Sequence, residues 1–306
     1  MKKILVATDK PFSKEAVQNI QNVVKESGYE FALLEKYSDV ADLHKALSEA
    51  DAVIVRSDII DNNAFEKAKQ LKIVVRAGAG YDNIDLAAAT AKGVVVMNTP
   101  GQNSNAVAEL VFGMLVYLNR GGFDGATGYE LRGKTIGILA YGAVGKMVAT
   151  IAKGFGMEVY AHDPFVDRTI IENDLVKREE DIKELFSKCQ YVSLHVPLNS
   201  STREYINYDL MKIMPRGATI VNTARKEVIH EPSLLKIFAE RQDFRYATDI
   251  SPDCKDELSV FKGRYFATPK KMGAQTAEAN NNAGVAAAKQ IVNFFGKGDR
   301  NFQVNK

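Results

Sequence analysis

Through most of the chain, short apolar runs alternate with longer stretches in which apolar residues recur every three or four positions. The runs at 3–7, 31–34, 52–55, 73–75 and 94–97 are brief and rich in valine, isoleucine or leucine, as strands buried on both faces of a parallel sheet are. Amphipathic stretches starting at Lys14 and Val40, one near Ala64 and one before residue 94 fill the intervals. Such alternation predicts a parallel sheet with right-handed crossovers and helices on both faces. Asn98-Thr99-Pro100-Gly101 interrupts the pattern, because proline and glycine after a strand stop sheet and helix alike. A helix over about 103–119 follows, with Val107, Leu110, Val111, Met114, Leu115 and Leu118 on one face, suited to burial between domains or subunits. After a glycine-rich arm at 120–132 the alternation resumes, with strands expected at 135–140, 157–161, 191–194, 219–221 and 246–248 and a closing segment at 266–271. A long helix over about 276–295, apolar at Val285, Ala288, Ile291, Val292 and Phe295, is expected to return and cover the first sheet.

The stretch 134–163 carries the most specific pattern. A strand breaks at Ala140-Tyr141-Gly142-Ala143-Val144-Gly145, and a helix follows with Val144, Met147, Val148, Ile151 and Ala152 at helical spacing. A second strand then ends at Asp163. This is a βαβ unit with a dinucleotide fingerprint, in which backbone N–H groups at a helix start approach a pyrophosphate and a later carboxylate accepts from a ribose hydroxyl. Gly142 and Gly145 hold the second and third glycine positions, so Gly142, Ala143, Val144 and Asp163 are candidate cofactor residues. Ala140 stands where the first glycine is usual, and is expected to need a negative φ.

Composition narrows the function. At 306 residues there is room for two domains with separate cores. Lys+Arg 40 against Asp+Glu 38 leaves a formal charge of +2, too balanced for a general nucleic-acid or anionic-membrane binder. Neither nucleic acid nor a membrane is therefore expected as a partner. Cys189 and Cys254 show no metal spacing and make a disulfide framework improbable, which suits a reducing cytoplasm. No metal site is expected. The opening apolar run is closed early by Asp9 and Lys10, so it reads as a strand rather than a signal peptide.

Polar residues gather where strands end, which in open parallel sheets is where ligands bind. Arg56-Ser57 and Ala77-Gly78-Ala79 end two strands of the first sheet. An arginine with a hydroxyl holds a phosphate or carboxylate, and the glycine loop offers consecutive N–H donors as an anion nest. In the second half, His195-Val196-Pro197, Asn222-Thr223-Ala224-Arg225 and Asp249 end successive strands and are expected to face the dinucleotide.

In order along the chain, RAGAGYDNID at 76–85, NTPGQNSNAVAE at 98–109, the turn with Asp163, SLHVPL at 193–198 and NTAR at 222–225 resemble the D-isomer-specific 2-hydroxyacid dehydrogenases. The resemblance implies an α/β fold of two doubly wound parallel-sheet domains. One is a Rossmann NAD-binding domain at 99–276; the other is a flavodoxin-like substrate-binding domain from 1–98 with 277–306. It also implies a homodimer that transfers a hydride between a small 2-hydroxyacid and NAD. By the same resemblance Arg225 binds the substrate carboxylate and keto oxygen, Asp249 receives the nicotinamide amide, and Thr202, Thr223 and Ala224 join the cofactor set with His195, Val196 and Pro197. Arg56, Ser57, Ala77, Gly78 and Ala79 match its substrate-anion positions.

Two departures matter. Lys270 stands where that family carries a histidine, and the glutamate that supports the histidine falls near Cys254. Lys226-Glu227 also replace a usual glycine pair. Lys270 is the expected proton carrier, since a carboxylate beside it would keep it charged and the glutamate's absence suits the exchange. His195 is the weaker candidate, expected to line the cofactor instead. A non-catalytic NAD-binding relative is the alternative if Lys270 cannot carry the proton.

Overall fold

The computed structural model describes residues 1–305, and the chain divides into two compact units, 1–103 with 274–306 and 104–273. Among the described residues unit 1 holds five parallel strands: β1 (Lys3–Thr8), β2 (Glu30–Glu35), β3 (Ala52–Val55), β4 (Ile73–Arg76) and β5 (Val95–Asn98). They lie in the order β2-β1-β3-β4-β5, the flavodoxin-like arrangement. The strands' continuous apolar character follows from burial on both faces: all four side chains of β3 are inaccessible, with one core cluster above the sheet and another below.

Unit 1 is completed from the far end of the chain. The helix Ala277–Lys297 is capped by Thr276, whose hydroxyl accepts from the Ala279 N–H, and ends at Gly298 in a left-handed conformation. Its Ala283, Ala287, Ala288 and Ile291 pack on Ile20 and Val24 of the helix Lys14–Glu26 and on the sheet. The approach is close enough that a Cβ on Gly284 would come within 2.6 Å of Ile20 Cδ1. Beyond it, Asn305 accepts from the Val96 N–H at 2.7 Å and donates to the Val94 carbonyl at 2.8 Å.

Unit 2 contributes, among the described residues, β6 (Thr135–Leu139), β7 (Glu158–His162), β8 (Lys177–Arg178), β9 (Tyr191–Leu194), β10 (Thr219–Asn222), β11 (Arg245–Thr248) and β12 (Tyr265–Ala267). All are parallel, in the order β12-β11-β10-β9-β6-β7-β8. The chain reverses direction across the sheet at β6, between β7 and β9, which is the Rossmann switch point. The helix Ser104–Asn119 belongs to this unit and buries Val111, Met114, Leu115 and Leu118 in its core. No helix among the described residues is long and apolar enough to cross a membrane.

Candidate active site

The turn after β6 opens the nucleotide side of unit 2. Side-chain oxygens of Asp167, Asp181 and Asn207 cap the helices that follow them, but the helix Ala143–Gly154 begins at Gly142 and has no side-chain cap. Its first N–H groups thus lack the usual side-chain acceptor, as an anion site requires. A Cβ on Gly142 would meet nothing within 4 Å, whereas one on Gly145 would strike the Ala140 carbonyl at 2.4 Å. Gly142 therefore leaves room for a ligand, and Gly145 lets helix and strand touch.

Ala140 differs from expectation. Its φ is +76°, in the left-handed region, because the chain must turn there while its N–H still bonds the His162 carbonyl at 3.0 Å. An alanine thus occupies a conformation that costs an L-residue about 1–2 kcal/mol. Asp163 is buried and ties the same turn: one oxygen accepts from the Tyr141 N–H at 2.8 Å, the other from the Phe165 N–H at 2.9 Å.

After β9, His195 bonds its N–H to the Leu139 carbonyl, and its Nε2 lies 2.8 Å from Ser193 Oγ. The residue keeps some surface, yet burial of the ring pushes its pKa down to about 3, so the imidazole is neutral near pH 7. That removes its charge but leaves it able to line a ligand. Val196 and Pro197 lead into a loop where Thr202 donates to the Pro197 carbonyl at 2.6 Å and accepts from the Asn199 N–H at 2.9 Å. The Thr202 hydroxyl is thus engaged within its own loop.

The ends of β10 and β11 form a connected polar group. Thr248 Oγ1 donates to the Asn222 carbonyl, and Asn222 Nδ2 donates to the Arg225 carbonyl. Thr223 Oγ1 is buried without a hydrogen-bond partner. Asp249 is fully buried; its Oδ2 accepts from the Gly273 N–H at 2.8 Å while its Oδ1 has no partner. Burial pushes the Asp249 carboxyl above the usual range, and Lys271, the N–H groups of Gly273 and Met272, and Arg225 pull it back. An inaccessible carboxylate with one free oxygen is costly unless something completes it, and the nicotinamide amide, an N–H donor, fits that need. Arg225 Nη1 donates to the Ala224 carbonyl at 2.9 Å.

Two of the departures, Lys226 and the segment at Cys254, meet at one loop. Lys226 forms an ion pair with Asp253 at 2.5 Å, and the Glu231 carboxylate accepts from the N–H groups of Asp253 and Cys254 at 2.9 and 2.8 Å. Burial, then Glu231, push the Cys254 thiol up to about 12, so it is a neutral filler where the resemblance expects a glutamate. Lys270 is exposed and, among the described residues, makes no ion pair. Lys271, not singled out as a site residue from the sequence, instead reaches the Ala224 carbonyl at 3.2 Å. The doubled lysine after Pro269 was the only signal; both lysines are exposed, and a loop sequence does not say which of the two reaches β10.

Unit 1 presents its candidates otherwise. Arg56 donates to the carbonyls of Lys10 at 2.9 Å and Pro11 at 3.0 Å and to Asn280 Oδ1 at 2.6 Å, and lies over the Phe12 ring. Ser57 is exposed. The expected row of three open donors is shorter than read: the Ala77 N–H goes to the Val55 carbonyl and the Gly78 N–H to the Arg76 carbonyl, and only Ala79 is exposed. The cause is Arg76, whose guanidinium fills the space a Gly78 Cβ would take, 1.4 Å from that position, and folds the loop back on the strand.

Comparison with known proteins agrees with this fold. The model of the D-isomer specific 2-hydroxyacid dehydrogenase NAD binding domain matches residues 112–258. A D-3-phosphoglycerate dehydrogenase of Methanocaldococcus jannaschii is 36% identical over 266 residues, 82% of this chain and 51% of that protein. A hydroxypyruvate reductase of Thermotoga maritima is 34% identical over 97% of this chain and 100% of its own. Among solved structures, NAD+-bound 3-phosphoglycerate dehydrogenase of Entamoeba histolytica is 48% identical, with a TM-score of 0.92, over 100% of this chain and 99% of that one. The chain spans about half the length of the phosphoglycerate dehydrogenase relatives from Methanocaldococcus jannaschii and Sus scrofa.

Proposed function

The chain belongs to the D-isomer specific 2-hydroxyacid dehydrogenase family, and on that premise we propose that it oxidises D-3-phosphoglycerate to 3-phosphohydroxypyruvate with NAD, the opening reaction of serine biosynthesis. The observation that carries the reading is the likeness to the Entamoeba histolytica enzyme over the whole chain. NAD, when bound, accepts the hydride from the substrate's C2. The chain's residues do the rest. Arg225 holds the carboxylate and the oxygen at C2, with the planar fork suited to both. Lys270 takes the hydroxyl proton as the C2–H pair of electrons leaves, and returns it in the reverse direction. Asp249 Oδ1, buried without a partner, would accept from the nicotinamide amide and hold the ring in place. Gly142, Ala143 and Val144 offer N–H groups to the pyrophosphate, and Asp163 receives the ribose hydroxyls, which favours NAD over NADP.

The full-length likeness to a hydroxypyruvate reductase supports a second reading, in which the phosphate is dispensable. NADH formation measured with D-3-phosphoglycerate, D-glycerate, D-lactate and 2-hydroxyglutarate decides between them. The highest kcat/KM is expected for D-3-phosphoglycerate with NAD; equal efficiency on D-glycerate selects the reductase, and NADH binding without turnover of any acid selects a non-catalytic relative. We also place the protein in the cytoplasm, where its two unpaired, buried cysteines stay reduced.

The homodimer is read from unit 2. Two hollows, of about 270 and 510 Å³, share Val116 and Phe155, and the adjoining segment exposes Phe123 and Tyr129. Exposed rings lining hollows on one surface support an isologous contact between two copies. Sedimentation of the Phe123→Asp protein as a monomer is the expected check.

A further inference from the structure

From 140 to 143 the turn after β6 reads Ala-Tyr-Gly-Ala, so Tyr141 is its one large side chain and its one polar one. The Tyr141 ring is buried in the same core cluster as Val148, Ile171 and Val176. A buried phenol needs a partner for its hydroxyl. Here the partner is Asp174, whose Oδ2 accepts at 2.9 Å. Burial, then Asp174, push the pKa of the Tyr141 hydroxyl up, so it stays a donor. The backbone N–H of the same residue goes to Asp163 Oδ2 at 2.8 Å. Both bonds therefore end on one segment, the stretch from Asp163 to Asp174 that follows β7. Asp174 closes the helix Arg168–Asn173 within that stretch, and its carbonyl accepts from Lys153 Nζ at 2.5 Å. The helix Ala143–Gly154 is thus tied to Asp174 twice, ahead of its start through Tyr141 and in its last turn through Lys153.

We propose that Tyr141 is a positioning residue for NAD: its hydroxyl, bonded to Asp174, holds the turn so that the N–H groups of Gly142, Ala143 and Val144 stand ready for the pyrophosphate. The inference rests on the reading above that these groups meet it. Two features of the turn call for such a hold. Ala140 sits at φ +76°, a conformation an L-residue leaves unless its surroundings fix it. The helix start at Gly142 has no side-chain cap to fix it from within. Asp163 and Asp174, at the two ends of one segment, clasp Tyr141 by its backbone and by its side chain. Asp163 is also the residue read as receiving the ribose, so the clasp sets the spacing between that carboxylate and the pyrophosphate turn. A turn ordered in advance loses less freedom when the cofactor binds, and affinity gains by that difference.

The test measures NADH affinity by its fluorescence, with steady-state kinetics on whichever 2-hydroxyacid the unmodified protein turns over best. For Tyr141→Phe, which keeps the ring and removes the hydroxyl, Kd for NADH and KM for NAD are expected to rise about 3- to 10-fold, the range of one hydrogen bond. KM for the acid should stay as it was, and kcat should not fall. Asp174→Ala should show the same loss, and Asp174→Asn, which keeps an acceptor oxygen, should recover most of it. The double variant Tyr141→Phe with Asp174→Ala should be no weaker than either single one, because both remove the same bond. Unchanged NADH affinity in Tyr141→Phe overturns the proposal, as do losses that add in the double variant or that fall equally on NAD and the acid. If Tyr141→Phe does not fold, the two Asp174 variants decide: a loss in Asp174→Ala that Asp174→Asn recovers supports the clasp, and equal affinity in both overturns it. Gly142→Ala is measured alongside, since a Cβ there meets nothing within 4 Å of the protein and would obstruct only a ligand. Unchanged NADH affinity in that variant defeats the reading of the turn as the pyrophosphate site, and not the hold of Asp174 on Tyr141.

Discussion

In unit 1 the polar groups at the ends of β3 and β4 are bonded to one another, whereas at the ends of β10 and β11 in unit 2 buried oxygens are left over. Arg56 spends its guanidinium on two carbonyls and Asn280, and the loop after β4 closes on Arg76. Asp249 Oδ1 and Thr223 Oγ1, by contrast, are buried without partners. Unit 1 also holds unpartnered buried oxygens, at Glu35 Oε1, Thr99 Oγ1, Asn103 Oδ1 and Gln290 Oε1, but none of them lies at the end of β3 or β4. Leaving a buried carboxylate oxygen unpaired costs on the order of 1–3 kcal/mol, so the open groups after β10 and β11 are where the proposed reaction expects a ligand. A closed network is a frame; an open one is a seat.

That contrast is testable. The largest effect is expected from Lys270→Ala in unit 2: kcat falls by about 10²–10⁴ while NADH still binds, as loss of a proton carrier does. Retention of most activity would move the chemistry away from this loop. Arg56→Ala probes the opposite side of the comparison. If Arg56 is frame, unfolding shifts by about 2–3 kcal/mol, and KM changes alike for phosphorylated and unphosphorylated acids. A rise in KM for D-3-phosphoglycerate alone, at unchanged Tm, would make Arg56 part of the seat.

His195 gives a smaller effect with a defined pH window. Its folded pKa, about 3, lies below the unfolded value of roughly 6.5, so the unfolded chain binds the extra proton between them. The neutral ring's contribution is fully present above about pH 6.5 and is lost as pH falls toward 3. His195→Asn should flatten the loss of stability over that window in chemical denaturation; an unaltered slope would mean the ring is charged in the fold. The smallest effect belongs to Ala140→Gly, expected to stabilise by about 0.5–1 kcal/mol by relieving the left-handed φ. A loss would show that the methyl group contributes packing worth more than the strain.

Much of the architecture was legible because strands buried on both faces are apolar along most of their length, wholly so in β3 and, apart from Ser193, Thr219 and Asn222, in β9 and β10. β8 escaped notice for the converse reason: Lys177–Arg178 is a two-residue edge with no apolar run. The sign of φ at Ala140 was misjudged, since the need for the turn comes from β6 and β7 pairing around it and leaves no mark on the residue itself. The bonding of Arg56 was hidden by distance, because its partner Asn280 lies 224 positions away. Lys271 shows the same limit at short range, where backbone bonds of Thr268 and Gly273, and not the sequence of the loop between them, bring it to β10.

The return of the helix Ala277–Lys297 to unit 1 sets an order of assembly during synthesis. Unit 2 is continuous, so all of it has left the ribosome once Gly273 emerges. Unit 1 waits, with Ile20 and Val24 uncovered, until Ala283, Ala287, Ala288 and Ile291 arrive. The part of the chain made first is thus the part finished last, and until then its sheet leaves apolar surface open for chaperones to shield.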